Sequence, residues 1–590
     1  ADAAVLVVCC SSGVEVGTEL TWGYADQANL PVLIVLNKID RENADFYRVV
    51  EQLQARFGAK CVPIQLPIGA QDKFEGVVDL VQMKSVRDTN VGEIPGDLKE
   101  QAASFKTKLI EAVADTDDKL LEKYLDGKEL TDEEVRQGLR KGIQERKIVP
   151  ILVTAALRNI SIKPVMTAIC TYLPSPKDRG AVSATNPTTQ KQETLQPDEA
   201  APLAALVFKT TADPYVGRLT YFRTYTGKVS SDSSASNCSR DKAERIGQLF
   251  TIRGKSQEPA QMVAAGDIGG VAKLSETSTG DTLCQKDHPL VLAAIEFPKP
   301  VFSVAVHPKT KADLDKLGQS LARVAEEDPT LHVRKDADTG ETILSGIGNS
   351  QVEVAAEKIR RKFGVNIVLQ TPKVPYKEAI TSTVNSEYKH KKQTGGHGQY
   401  GHVFLKIEPL PRGSGVEFAT AVVGGSVPRN FYPAVEKGVL ETVVEGVVAG
   451  FPVVDVKVTL TDGSYHAVDS SEMAFKLAAI HAFKKGVADA GPVLLEPHVN
   501  MKITAPDTFT GDIIGDLNSK RARVHGMLPE DGMNVIEAQA PLSEVLNYAI
   551  DLRSITQGRG TFTMEFSHYE QVPAHVAQKI IEAKKEVAPA

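Results

Sequence analysis

The apolar run Val32-Leu33-Ile34-Val35-Leu36 ends in Asn37-Lys38-Ile39-Asp40. A carboxylate at Asp40 can accept two hydrogen bonds, one from a ring N–H and one from an exocyclic amino group. Guanine offers that pair at N1 and its 2-amino group, and adenine does not. Asn37 can satisfy another edge of the base, while the aliphatic stem of Lys38 can cover the ring face. Asn-x-x-Asp also closes many strands as a plain turn, so the strand context is what favours guanine recognition. A continuous β-branched run of this kind is the pattern of a parallel strand buried on both faces. Open α/β sheets bind ligands at the carboxyl ends of such strands.

A second group of residues suits a different ligand. The basic run Lys389-His390-Lys391-Lys392-Gln393-Thr394 feeds Gly395-Gly396-His397-Gly398-Gln399-Tyr400-Gly401. From Gly396 the spacing satisfies GxGxxG, but a dinucleotide site needs a strand before the glycines and a helix after them. Here a basic polar run precedes and a strand pattern at 403–407 follows. Lysines for phosphates, glycines for close backbone approach and the Gln393 amide suit RNA; a surface hairpin without a ligand is the alternative. His466 sits in Asp462-Gly463-Ser464-Tyr465-His466, ahead of Val468-Asp469-Ser470-Ser471-Glu472, where Ser471 and Glu472 resemble a helix start. A lone loop histidine is ordinarily just solvated. Two more basic clusters, residues 358–362 and Lys520-Arg521-Ala522-Arg523, either face RNA or satisfy the cation preference of helix C-termini.

Other chemistries find no support. Gly254-Lys255-Ser256 has the end of a phosphate-binding loop, but Leu249 stands where its first glycine must be and no helix pattern follows. There is no HExxH, no nucleophile elbow and no paired-cysteine metal spacing, so no catalytic residue and no metal ligand is assigned. With 590 residues the chain should form several domains, and 42% hydrophobic with 24% charged residues is a globular composition. A net charge of -7 excludes a globally basic nucleic-acid coat and leaves only local patches for RNA. The six cysteines (Cys9, Cys10, Cys61, Cys170, Cys238, Cys284) form no CxxC pair and read as reduced thiols of a cytosolic protein. No apolar run approaches the ~18 residues of a membrane span, and no signal peptide is visible.

Several elements must position these groups. Residues 1–66 alternate strand patterns (5–10, 32–36, and an edge strand at 61–66) with helix patterns (17–29, 44–57). The first strand pattern demands neighbours on both sides, and residue 1 is Ala, so preceding sequence is expected to be missing. Residues 67–146 form an insertion, strand-like at 76–83 and helical over 97–144. Asp115, Asp117, Asp118, Glu122, Asp132, Glu133 and Glu134 make one side of it acidic, for which a solvated helix face is the plain reading. A strand at 149–154 and a helix at 162–172 complete a partial doubly wound domain over 1–180. Residues 181–202 read as a polar linker. Short strands over 200–288 predict a β-barrel. Residues 292–371 and 495–590 each carry a ferredoxin-like βαββαβ pattern, the second followed by a C-terminal helix. Residues 374–494 form one further α/β domain. The expected fold class is multidomain α/β and β.

Taken together, these segments resemble translation elongation factor G over essentially the whole chain. Gly13-Val14-Glu15-Val16 and Asn37-Lys38-Ile39-Asp40-Arg41 look like the second half of its GTPase domain. Asp213-Pro214-Tyr215-Val216-Gly217-Arg218-Leu219 and Thr279-Gly280-Asp281-Thr282-Leu283 are similar to its second domain. The residues from Gln393 to Gly401, Pro433-Ala434-Val435-Glu436-Lys437-Gly438 and Val468-Asp469-Ser470-Ser471-Glu472-Met473-Ala474-Phe475 are similar to its fourth. Gly511-Asp512-Ile513-Ile514-Gly515-Asp516-Leu517-Asn518 resembles its fifth.

The family is a ribosomal translocase whose fourth domain reaches the decoding site. The resemblance implies guanine contacts from Asn37, Lys38 and Asp40, with a backbone N–H of Ala155 or Ala156 donating to guanine O6. It implies a decoding-site tip made of Gln393, Gly395, Gly396, His397, Gly398, His466, Asp469, Ser470 and Ser471. GTP or GDP is the implied cofactor, with Mg2+ in the full-length protein. The implied partner is the ribosome, through ribosomal RNA, the tRNA–mRNA pair in the decoding site, and a stalk protein that meets the acidic insertion. No membrane is implied; a cytoplasmic monomer is. The chain departs from the family in three places. His397 stands where the family usually has Arg, Thr154-Ala155-Ala156 replaces Gly-Ser-Ala, and the third-domain signature reads Gly348-Asn349-Ser350-Gln351. These differences suggest a divergent paralogue. The family's phosphate loop, both switches and its DTPGH segment would all precede Ala1. The chain by itself is therefore expected to hold guanine nucleotide weakly and not to hydrolyse GTP. A GTPase-dead ribosome binder and a ribosome recycling or protection factor are the alternatives.

Overall fold

The computed structural model describes residues 1–213, 217–392, 398–530 and 532–587. Two compact units emerge, Ala1–Thr210 with Val216–Ile295, and Thr211–Tyr215 with Glu296–Ala590. Among the described residues no helix is long and apolar enough to cross a membrane.

The first unit opens with β1 (Ala4–Cys9), α1 (Val16–Gln27), β2 (Val32–Asn37), α2 (Phe46–Phe57) and β3 (Cys61–Pro63). An insertion follows, with β4 (Gln65–Ile68), β5 (Gly76–Asp79), β6 (Lys84–Arg87) and β7 (Asn90–Gly92), then α3 (Lys99–Ala114), α4 (Asp118–Leu125) and α5 (Asp132–Gln144). The chain returns through β8 (Val149–Val153) and α6 (Ile162–Tyr172). The parallel sheet has the order β1-β2-β8-β3. In β2 every residue from Val32 to Leu36 is at most 7% exposed, as a run apolar on both faces requires. The expectation of neighbours on both sides of β1 is not met in this chain: β1 is an edge strand, with Val5 and Val7 exposed. The single edge strand expected at 61–66 is in fact two. β3 pairs with β8, whereas β4 leaves the sheet to pair antiparallel with β5.

The acidic stretch is three helices, and two of its seven acids hold them in place. Asp117 caps α4 by accepting the Lys119 N–H and pairs with Lys141 at 2.7 Å. Glu134 closes a capping box with Thr131 and pairs with Lys123 at 2.7 Å. Asp115, Asp118, Glu122, Asp132 and Glu133 remain exposed.

Residues 181–202 are not a structureless linker. Val182–Thr185 and Gln192–Leu195 form a hairpin, joined by Val291–Leu292 as a third strand. Asn186 makes the turn by accepting the Thr188 and Thr189 N–H groups, and Ala184 and Leu195 are buried. The barrel is an eight-stranded antiparallel arrangement with a separate two-stranded pair. In it Cys238 and Cys284 are joined as a disulfide, which corrects the reading of six reduced thiols; the other four are free. Spacing rules could not find this pair, because strand register rather than sequence proximity brings the two residues together.

In the second unit, Phe302–Pro308, His332–Lys335, Thr342–Gly346 and Ile367–Gln370 form one antiparallel sheet, with helices Lys311–Glu327 and Asn349–Phe363. This is a ferredoxin-like unit. The long strand Pro492–Pro506 centres a second such sheet with Met533–Pro541, Arg523–Glu530 and Thr561–Gln571. Lys377–Ile380 adds to its edge. A further sheet, ordered Val384–Lys392, Gln399–Pro409, Val456–Ser464, Val416–Thr420, packs on helices Tyr432–Glu445 and Glu472–Asp489.

Candidate functional site

The strand end at Asn37 is a tight turn held by several hydrogen bonds. Lys38 takes the left-handed conformation (φ +65°), which is uncommon for a residue with a Cβ. Its N–H donates to Asn37 Oδ1 at 2.8 Å, and the Arg41 N–H donates to its carbonyl at 3.1 Å. Ile39 points inward at 1% exposure, and its carbonyl accepts the Gln71 N–H at 3.1 Å. Burying Ile39 leaves its neighbours at the surface: Lys38 is exposed, and Asn37 and Asp40 are half-buried.

The segment after β8 forms the opposite wall. The Thr154 N–H donates to the Leu36 carbonyl at 2.9 Å, and the Thr154 hydroxyl donates to the Ile160 carbonyl at 2.7 Å. The N–H groups expected to serve guanine O6 both have partners within the chain. That of Ala155 donates to the Ile160 carbonyl at 3.2 Å, within a two-residue β-bridge. That of Ala156 donates to Asn37 Oδ1 at 3.1 Å. Asn37 therefore clamps the two walls together, and an entering base takes the Ala156 donor only by exchanging with it. Leu157, one residue on, is 82% exposed in the short 3-10 turn Ala156–Arg158. Sequence reasoning passed over it, although an apolar residue on a surface turn was the available signal.

The second candidate site lies at one end of the sheet in the second unit. Of the expected tip residues, Gln393, Gly395, Gly396 and His397 lie outside the described residues, while Gly398, His466, Asp469, Ser470 and Ser471 lie within them. The Gly398 N–H donates to Asp469 Oδ1 at 3.0 Å. The Tyr400 N–H donates to the Asp469 carbonyl at 2.8 Å, and the Ser470 hydroxyl donates to the Tyr400 carbonyl at 3.0 Å. Two loops 71 residues apart are thereby stapled. The Ser470 hydroxyl also accepts the His466 N–H at 2.9 Å. His466 Nδ1 lies 3.2 Å from the Asp469 backbone nitrogen and 3.3 Å from Asp469 Oδ2, and the ring is exposed. Ser471 caps helix Glu472–Asp489 by accepting the Ala474 N–H at 3.2 Å. Asp469, Ser470 and Ser471 thus order the tip from within, and outward-facing polar groups among the described residues include His466 and the exposed Lys391 and Lys392.

Beneath them the Tyr400 hydroxyl, the Ser464 hydroxyl and His402 Nδ1 form a chain of 2.8 and 3.0 Å contacts. The Ser464 hydrogen bond, with nearby Lys389 and Lys391, lowers the Tyr400 phenol pKa; burial lowers that of His402.

Most of the other two basic clusters is engaged in ion pairs within the chain. Lys520 pairs with Asp516 and Asp551, Arg521 with Glu496 and Glu544, and Arg523 with Glu570. Arg360 and Arg361 pair with Glu357, and Lys362 with Glu327. Arg360, Arg361 and Lys362 also occupy the last turn of helix Asn349–Phe363, and Lys520 caps helix Thr510–Ser519, as the cation preference of helix C-termini predicts. Among the described residues no group of three or more His, Cys, Asp or Glu side chains is arranged to hold a metal ion, so magnesium is given no ligands.

Comparison with known proteins covers nearly the whole chain. Residues 1–175 match the elongation factor Tu GTP binding domain model, and 202–286 match elongation factor G domain 2. Residues 297–371 match elongation factor G domain III, 372–491 domain IV, and 493–580 the elongation factor G C-terminus. The fold is also similar to the crystal structure of a protein from Thermus thermophilus, at 36% identity and a TM-score of 0.73. That match covers 100% of this chain and 86% of the other. A GTP-binding-domain match followed by four elongation factor G segments in unbroken order leaves one assignment: the chain belongs to the elongation factor G family of translational GTPases.

Proposed function

We propose that this protein works on the ribosome as a GTP-dependent translocase, advancing tRNA and mRNA by one codon. Asn37, Lys38 and Asp40 read guanine, and Ala156 donates to O6 once it leaves Asn37. GTP, when bound, supplies the phosphoanhydride bond whose cleavage times the step. The tip around Gly398 and His466 enters the decoding site, where the His466 ring and Lys391 and Lys392 meet ribose hydroxyls and phosphates. The partners are ribosomal RNA, the tRNA–mRNA pair and a stalk protein at the acidic insertion; the protein acts as a cytoplasmic monomer.

The observation that carries this reading is the stapled tip: Asp469 on Gly398 and Ser470 on Tyr400. Ordered loops bind a fixed RNA geometry without a large ordering cost. The test is a primer-extension toeprint on pre-translocation ribosomes incubated with the protein and GTP. A one-codon shift of the mRNA supports the reading. Subunit splitting without a shift favours the recycling alternative, and ribosome binding without either favours the GTPase-dead binder. Absence of ribosome binding overturns the proposal.

A further inference from the structure

Cys238 and Cys284 are separated by 46 residues in sequence, yet their Cα atoms are 6.2 Å apart. Between strands Ser233–Asn237 and Thr282–Cys284, Ser236 pairs with Cys284 and Asn237 with Leu283. The Cys238 N–H donates to the Thr282 carbonyl at 3.0 Å. The cysteines are therefore diagonal neighbours across an antiparallel ladder, at a separation a disulfide can span.

Their surroundings differ. Cys284 is 0% exposed, whereas Cys238 is half-buried in the turn Cys238-Ser239-Arg240-Asp241. That turn is held firmly. Asn237 Oδ1 accepts the Ser239 and Arg240 N–H groups at 3.1 and 3.2 Å, and its Nδ2 donates to Asp281 Oδ2 at 2.9 Å. Arg240 pairs with the same Asp281 at 2.8 Å.

We propose that Cys238 and Cys284 form a reversible thiol–disulfide lock on the barrel, with Cys238 the entry thiol and Cys284 the buried resolving thiol. The co-reactant is a small disulfide of the glutathione class. Cys238 thiolate attacks one of its sulfurs, the small S–S bond breaks, and the departing thiolate takes up the proton Cys238 released. Cys284 then attacks Cys238 Sγ in the mixed disulfide, and its proton passes to the departing small thiolate, which leaves as the second small thiol. Two protein thiols and one small disulfide become one protein disulfide and two small thiols. Excess small thiol reverses both steps. The two strands already pair through backbone hydrogen bonds, so the lock moves nothing and acts by suppressing local opening of the barrel.

To test this, the full chain is reduced, desalted, incubated with glutathione disulfide, alkylated and mapped by mass spectrometry. A Cys238–Cys284 cross-linked peptide that dithiothreitol abolishes is expected. In C284S the reaction stops at a glutathione adduct on Cys238; in C238S, Cys284 stays unmodified. Amide exchange in strands Ser233–Asn237 and Thr282–Cys284 slows about tenfold or more on oxidation. Failure of the cross-linked peptide to form in the wild-type chain overturns the proposal without reliance on any variant. Modification of Cys284 in folded C238S as fast as of Cys238 in C284S overturns the entry-and-resolving order.

Discussion

Replacing Asp469 with Ala asks whether the two tip segments are one preordered unit. The substitution removes the acceptor of the Gly398 N–H, at 3.0 Å, and leaves the backbone contact to Tyr400 in place. A hydrogen bond to a charged acceptor contributes about 1.5–3 kcal/mol. The Asp469 side chain is 31% exposed, so solvent screening selects the lower part of that range, about 1.5–2 kcal/mol. Since 1.4 kcal/mol corresponds to a factor of ten, exchange of the Gly398 amide should accelerate about 10- to 30-fold. D469N keeps an accepting oxygen but loses the charge and should fall between the two. Hydrogen exchange on the full chain reads this directly, with the amide of Val403, 0% exposed within strand Gln399–Pro409, as the internal control. A folded D469A protein whose Gly398 amide exchanges at the wild-type rate refutes the stapled-tip reasoning.

Other expectations follow from single contacts. Glu378 is 0% exposed and accepts four N–H groups, from Val447, Val448, Ala449 and Phe451, at 2.7 to 3.2 Å. E378Q turns an amide N–H2 toward donors and should cost about 3 kcal/mol in a urea denaturation; a loss below 1 kcal/mol, on the order of a surface substitution, contradicts this. R521A strands Glu496, 1% exposed, and should cost about 3 kcal/mol or more while leaving ribosome affinity unchanged. K391A with K392A should instead leave stability alone and lower the salt dependence of RNA binding by about one unit of slope per lysine. Burial lowers the pKa of His498 below the free-histidine value, so the folded chain binds fewer protons there than the unfolded one. Its contribution is therefore present above about pH 6.5 and is lost as pH falls through the folded value. Wild type should lose more stability between pH 7.5 and 5.5 than H498L, by comparison of urea midpoints; equal losses count against the assignment.

What the sequence conveyed depended on distance along the chain. β2 was legible because a buried parallel strand writes its environment into five consecutive apolar residues. The ferredoxin-like units were legible through strand alternation and helix stripes such as Leu317, Leu321 and Val324, all buried. Where a residue's partner lay far away, local rules misled. Arg521 looked like a surface cation, but Glu496 is 25 positions upstream, at the start of another strand. The hairpin at Asn186 looked like linker because its polar residues outnumber the two apolar ones it buries, Ala184 and Leu195. Cys238 and Cys284 had no spacing signature, since only strand register makes them neighbours. At the candidate guanine site the sequence pointed to the two segments, but not to the Asn37–Ala156 clamp that joins them, with its ends 119 residues apart.

The central claim, guanine reading by Asp40, is tested most directly by base selectivity. Saturation-transfer NMR on the full chain, with GDP, ADP and xanthosine diphosphate in competition, measures preference even where affinity is low. If the carboxylate of Asp40 accepts from N1–H and the 2-amino group, as proposed, GDP should be preferred over both competitors. In D40N the amide N–H2 meets the 2-oxo group of xanthine while Oδ1 still accepts from N1–H, so preference should pass to xanthosine diphosphate. Equal binding of all three by the wild type, or a D40N protein that still selects GDP, contradicts the account.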